Sequence, residues 1–204
     1  ILAALAADAN TPVAAIEVMP AAEFDRIVHA WNDTVRDFPL DRCAHELLAE
    51  QVASRPEATA VVYADERLSY GALNARANRL AHRLRASGVG PGTLVAVALV
   101  RGVDMVATLL GVLKAGAAYV PMAPDAPADR IAFMLSDAKP QLLLAHRAAQ
   151  LPESVDVPVL ILEDLQPELD RQPDTDPVVD GMTSAQLIYV IYTSGTTGTP
   201  KGIA

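Results

Sequence analysis

Apolar residues recur at helical spacing in the first part of the chain and gather into short continuous runs after Thr59. Beyond Pro20, the residues Phe24, Ile27, Val28 and Trp31 share one helical face. Leu47, Leu48 and Val52 repeat that pattern between Ala44 and Ser54, and Arg55-Pro56 closes it. Ala60-Val61-Val62-Tyr63 reads as a strand, Asp65-Glu66 as a turn, and Gly71 to Ser87 as a long helix. Leu73, Ala77, Leu80 and Leu84 lie on one side of that helix, and Gly88 is its stop. Leu94 to Val100 is an unbroken apolar run, as expected of a strand covered on both faces. Asp104 is placed to cap a helix from Met105 to Lys114; Ala118 to Val120 is a strand, and Pro127 opens a helix reaching Asp137. Gln141 to Ala145 and Val159 to Leu162 are further short strands, with room for a brief helix between them. Leu187 to Tyr192 is a last run of the buried type. This alternation predicts an α/β fold, a doubly wound, mainly parallel sheet flanked by helices, after a helical lead-in. The change of texture divides the chain into a helical segment, 1–57, and an α/β segment, 58–204.

Composition adds limits. Of the 204 residues 51% are hydrophobic, enough to fill a sizeable core, and the net charge of −9 makes nucleic acid or an anionic membrane surface a poor main partner. The charge is local. Between Leu151 and Asp180 stand nine acidic residues and one basic, Arg171, together with Pro152, Pro158, Pro167, Pro173 and Pro177. Such a stretch reads as a solvated connector. The single cysteine, Cys43, excludes an internal disulfide and a multi-Cys metal site, and reads as a buried thiol. The most apolar stretch, Val103 to Pro121, is interrupted by Asp104 and Lys114, and the first ten residues lack a basic leader region. The expectation is therefore a cytoplasmic protein with no membrane span. His29 and His45 stand alone on helices and read as solvated, and Lys114 at a helix C-terminus is accounted for by the helix dipole.

Chemistry concentrates after the last strand, in Tyr192-Thr193-Ser194-Gly195-Thr196-Thr197-Gly198-Thr199-Pro200-Lys201-Gly202. Glycines let a backbone curl so that successive N–H groups face an anion, Ser and Thr hydroxyls donate further hydrogen bonds, and Lys201 adds positive charge. The position, beyond the carboxyl end of a strand, is where open α/β sheets bind ligands. Lys201 follows a proline and precedes a glycine, so this is no Walker A loop, and the spacing is not that of a dinucleotide fingerprint. Composition alone would also allow a Ser/Thr/Gly-rich surface loop.

Tyr192 to Gly202 resembles the phosphate-binding signature of the adenylate-forming enzymes, which include acyl-CoA synthetases, luciferases and the adenylation domains of nonribosomal peptide synthetases. Leu68-Ser69-Tyr70-Gly71-Ala72-Leu73 and Leu113-Lys114-Ala115-Gly116-Ala117-Ala118-Tyr119-Val120-Pro121 are similar to the first two core motifs of the peptide-synthetase branch. Trp31-Asn32-Asp33-Thr34 and His45-Glu46-Leu47-Leu48-Ala49-Glu50-Gln51 resemble the stretch joining a condensation domain to an adenylation domain. The second motif departs from the family: Pro121-Met122-Ala123-Pro124 stands where Pro-Leu-Asp-Pro is usual, and Ala126 where tyrosine is common.

The resemblance implies ATP-dependent activation of an amino acid as an aminoacyl-adenylate, with release of pyrophosphate and transfer to the phosphopantetheine thiol of a carrier domain. It implies ATP with Mg2+ as cosubstrate, and condensation and carrier domains as partners. Thr193, Ser194, Gly195, Thr196, Thr197, Gly198 and Lys201 would hold the ATP phosphates. No catalytic residue and no metal ligand is expected within the chain, because the family's specificity pocket, magnesium carboxylate and catalytic lysine follow the loop. Ile1 and Ala204 then read as excision boundaries, and the 204 residues alone are expected to be inactive. Two alternatives stand beside this reading: a piece of a stand-alone acyl- or aryl-CoA synthetase, and a non-catalytic truncated module.

Overall fold

The computed structural model describes residues 6, 8, 10, 12, 19–194 and 200–204. The chain forms two compact units, Ile1–Pro39 and Leu40–Ala204. In the first, α1 (Ala21–Val28) begins after Pro20 and runs into a short 3-10 turn, Ala30–Asn32. Asn32 ends it by donating Nδ2 to the Ile27 and Val28 carbonyls at 2.9 and 3.0 Å.

The second unit opens with α2 (Ala44–Ser54), where the Cys43 N–H is capped by Glu46 Oε2 at 2.7 Å. Although the sequence pattern groups this helix with the lead-in, it lies inside the compact α/β unit. Cys43 is only partly buried. Next come β1 (Thr59–Tyr63), β2 (Glu66–Ser69) and α3 (Tyr70–Ala86), whose first turn is capped by Ser69 Oγ accepting from the Ala72 N–H at 3.2 Å. There follow β3 (Leu94–Ala98), α4 (Val103–Lys114), β4 (Ala118–Pro121), α5 (Ala128–Ala138), β5 (Leu142–Ala145), β6 (Val159–Ile161) and α6 (Leu162–Leu169). The last elements are β7 (Ile191–Ser194) and β8 (Pro200–Ile203).

Four strands form one wholly parallel sheet in the order β4-β3-β5-β6. The strand period of two assigns its side chains to opposite faces. Val95, Val97, Leu99, Leu142 and Leu144 meet Leu80, Leu84, Val112 and Leu165 of α3, α4 and α6. Ala96, Ala98, Leu143 and Ala145 meet Ile131, Met134 and Leu135 of α5. Because α4 and α5 cover opposite faces, the sheet is doubly wound, in agreement with the pattern of apolar runs.

Four details differ from that pattern. The strand at Val61 is not part of the parallel sheet; it pairs antiparallel with β2 in a separate hairpin, since a two-residue turn can only reverse the chain. The N-cap of α4 is Gly102, with Asp104 inside the first turn and paired with Arg76 at 3.1 Å. The acidic stretch is not simply a solvated connector, because it supplies β6 and α6 and its carboxylates meet cations elsewhere. Glu168 lies 2.5 Å from Arg83, Asp174 lies 3.4 Å from Arg79, Asp164 pairs with Arg147, and Asp176 lies 2.5 Å from Lys114. Lys114 is accordingly buried, so a specific carboxylate and not the helix dipole alone balances its charge. Finally, the run from Leu187 to Tyr192 is not sheathed on both faces. Leu187, Ile188, Tyr189 and Ile191 are exposed beside β4, at the edge of the sheet. Among the described residues no helix is long and apolar enough to cross a membrane.

Candidate phosphate-binding hairpin

The chain reaches the candidate site by adding to the β4 edge. Tyr189 forms a parallel bridge with Tyr119, supported by Tyr119 N–H to the Ile188 carbonyl at 3.1 Å and Val190 N–H to the Tyr119 carbonyl at 2.9 Å. The two tyrosine rings lie 5.9 Å apart, and burial lifts the Tyr119 phenol above the usual tyrosine range. β7 continues from there and pairs antiparallel with β8, in the register Tyr192 opposite Gly202, Thr193 opposite Lys201 and Ser194 opposite Pro200.

The hairpin therefore brings Thr193 and Lys201 together as a directly facing pair, both exposed. Ser194 takes its place in the β7 backbone. Gly195, Thr196, Thr197 and Gly198, the other residues singled out from the sequence, lie outside the described residues, as does the side chain of Ser194. A hydroxyl and an ammonium on neighbouring strands, flanking the loop that joins them, suit an anion with several oxygens.

Two features of this hairpin have no sequence signal of their own. Tyr192 donates its hydroxyl to Asp137 Oδ2 at 2.6 Å, and its ring meets Phe133 edge-on at 6.5 Å, so β7 is anchored to the last two turns of α5. Burial first, and then the Asp137 carboxylate, hold the Tyr192 phenol far above the usual tyrosine range. Gly202 is a steric requirement: a Cβ there would lie 3.0 Å from Val190 Cγ1 and 3.3 Å from Tyr192 Cζ. The last glycine of the motif is thus required by packing against Val190 and Tyr192.

Tyr192→Phe should lower the unfolding free energy by about 0.5–1.5 kcal/mol, the range for a hydrogen bond at a partly exposed site. Denaturant unfolding of the chain measures this. A Phe variant with the wild-type midpoint would show that the hydroxyl anchors nothing.

A separate cavity of about 500 Å³ lies between α3, α4 and α6, lined by Arg76, Asp104, Thr108, His146, Glu163 and Gln166 among others. Its charges are already engaged, Arg76 with Asp104 and Glu163 with the Arg147 N–H at 3.1 Å. Among the described residues no group of three His, Cys, Asp or Glu side chains gathers as metal ligands do.

The family model for AMP-binding enzymes matches residues 48–204. Tyrocidine synthase 2 of Brevibacillus parabrevis is 40% identical over 203 residues, which cover 100% of this chain and 6% of that protein. The dimodular nonribosomal peptide synthase of Bacillus subtilis (strain 168) is 41% identical over 213 residues, covering 100% of this chain and 9% of the relative. The solved nonribosomal peptide synthetase FmoA3 superposes with a TM-score of 0.74 at 31% identity, over 88% of this chain and 19% of its own. The chain spans only a small part of each relative.

Proposed function

The chain belongs to the AMP-binding enzyme family, and from that premise we propose that it is the N-terminal part of a nonribosomal peptide synthetase adenylation domain with its lead-in. Residues 1–57 are the condensation-to-adenylation lead-in, with α2 packed on the α/β unit. Residues 58–204 run from the β1–β2 hairpin through the phosphate loop.

The longer cytoplasmic protein activates an amino acid. A carboxylate oxygen of the amino acid attacks the α-phosphorus of ATP, the bond from that phosphorus to the bridging oxygen breaks, and pyrophosphate leaves. The thiol of a carrier domain's phosphopantetheine then gives up its proton and attacks the acyl carbon, the carbon–oxygen bond to the phosphate breaks and AMP leaves. A condensation domain joins the carrier-bound amino acid to the peptide. Within this chain the task is to bind and orient. Thr193 and Ser194, with Gly195, Thr196, Thr197 and Gly198 of the loop, donate to the β- and γ-phosphate oxygens. Lys201, facing Thr193, balances the charge that builds on the departing pyrophosphate. Mg2+ arrives with ATP, and no residue of this chain is assigned to it.

The observation that carries this reading over a stand-alone acyl- or aryl-CoA synthetase is the extent of the match. The family model begins at residue 48, whereas the peptide synthetases align with the lead-in as well. The test is amino-acid-dependent ATP–pyrophosphate exchange by the full-length protein, screened over single amino acids. Exchange stimulated by one amino acid or a few related ones is expected. Activity only with a fatty or aryl acid and CoA would replace this reading with that of an acyl-CoA ligase.

A further inference from the structure

The acidic segment between α6 and β7 is held against α3 and α4 at three consecutive residues. Asn78, fully buried on α3, donates Nδ2 to the Asp174 carbonyl at 2.6 Å, and the His82 ring lies 2.9 Å from the Thr175 carbonyl. Asp176 Oδ1 accepts from Asn74 Nδ2 at 3.2 Å and from Lys114 Nζ at 2.5 Å. The burial is lopsided, with the Lys114 side chain 3% exposed and that of Asp176 53%. A buried ammonium is tolerated only against a fixed acceptor, and removing that acceptor is strongly unfavourable. Lys114 therefore demands Asp176 at one place on the surface of α4. Burial works against ionisation of Asp176, but the hydrogen bond and positive charge of Lys114, with the Asn74 amide beside it, outweigh it and keep the carboxyl below the usual range.

The chain beyond this pin is confined twice more before it reaches the hairpin. Gly116 adopts φ +93°, and a Cβ there would lie 3.0 Å from Val179 Cγ1 and 3.2 Å from Met182 Sδ, so the segment passes directly over it. Val190 then joins the β4 edge, and β7 begins at the next residue. No strand of the parallel sheet lies between α6 and β7, so side chains of α3 and α4 hold residues 174–176, and the β4 edge takes the chain up again only at Tyr189 and Val190.

We propose that Lys114 and Asp176 are positioning residues for the phosphate hairpin: their pair sets the course of residues 174–190 and thereby where Thr193 and Lys201 stand relative to the sheet. The proposal rests on the phosphate-binding reading of the hairpin, and its test has one arm independent of that reading. Asp176→Asn removes the charge that Lys114 faces, while the double variant Lys114→Met/Asp176→Leu removes both charges. In the full-length protein, at a temperature where both variants are folded, the KM for ATP in pyrophosphate exchange should rise roughly three- to tenfold. The KM for the amino acid should stay near the wild-type value. The double variant should regain the wild-type melting temperature, since Met fills the buried Lys114 site and leaves no charge there without its partner, yet keep the raised KM for ATP. Hydrogen exchange at the Val190 and Tyr119 amides should accelerate in both variants. A folded double variant with the wild-type KM for ATP would overturn the proposal, and so would unchanged protection of these two amides. If the wild-type protein shows no pyrophosphate exchange with any amino, fatty or aryl acid, it is the phosphate-binding reading that fails, and the amide protection alone decides whether the pair directs the segment.

Discussion

Lys201→Ala in the full-length protein should slow amino-acid-dependent ATP–pyrophosphate exchange by about 10- to 100-fold, the equivalent of ~1.5–3 kcal/mol for a charge-assisted contact. Lys201 is exposed on β8 and faces Thr193, so its removal leaves no cavity and the melting temperature should not change. The loss should concentrate in kcat if the ammonium meets charge that grows as pyrophosphate departs, and in KM if it holds ATP equally before and during the reaction. Thr196→Ala should act in the same direction by about tenfold, since a neutral donor is worth roughly half as much. Exchange at the wild-type rate in both variants would remove this hairpin from the site.

A second large effect is expected from the middle of α4. Gly111 would look like a weak point in a helix, yet a Cβ there would come 3.0 Å from the Ala77 carbonyl oxygen and 3.1 Å from Leu80 Cδ2. Ala77 belongs to the backbone of α3, which cannot swing away as a side-chain end can. Gly111→Ala sets a gain in helix propensity of ~1 kcal/mol against overpacking of ~1–3 kcal/mol and should be mildly destabilising. Gly111→Leu has no such balance and should lower the unfolding free energy by about 3 kcal/mol or more, read as a shift in denaturant midpoint at unchanged slope. Gly90, around which no atom would lie within 4 Å of an added Cβ, is the control: Gly90→Ala should stay within about 0.5 kcal/mol. A stable Gly111→Leu variant would mean that α3 and α4 do not approach as closely as described.

The elements themselves were legible because each rests on local periodicity. Continuous apolar runs at Val95 and Leu143 marked strands covered on both faces, and both are fully buried. The apolar stripe of α3, Leu73, Ala77, Leu80 and Leu84, is buried where its spacing placed it. The candidate site was legible as a motif, but only part of its organisation could be. That Thr193 faces Lys201 follows from the register of β7 and β8, which depends on the whole hairpin. Asp137 gave no hint of its role, since it is an ordinary acidic residue near a helix end until Tyr192 arrives from 55 residues away.

The amino-acid sequence by itself determined the order and type of the elements, the doubly wound class and the phosphate-loop motif, because these depend on side-chain spacing within one segment and on a short run of special residues. Tertiary structure decided which strands pair, and so detached β1–β2 from the parallel sheet. It turned an acidic, proline-rich stretch into a segment fastened to α3 and α4, and gave Lys114 a carboxylate partner beyond the helix dipole. It also made Gly111 and Gly202 packing requirements. The physical reason is common to all of these: the free energy of a buried charge, or of a missing Cβ, depends on which atoms lie within a few ångströms, and those atoms are contributed by parts of the chain far apart in sequence.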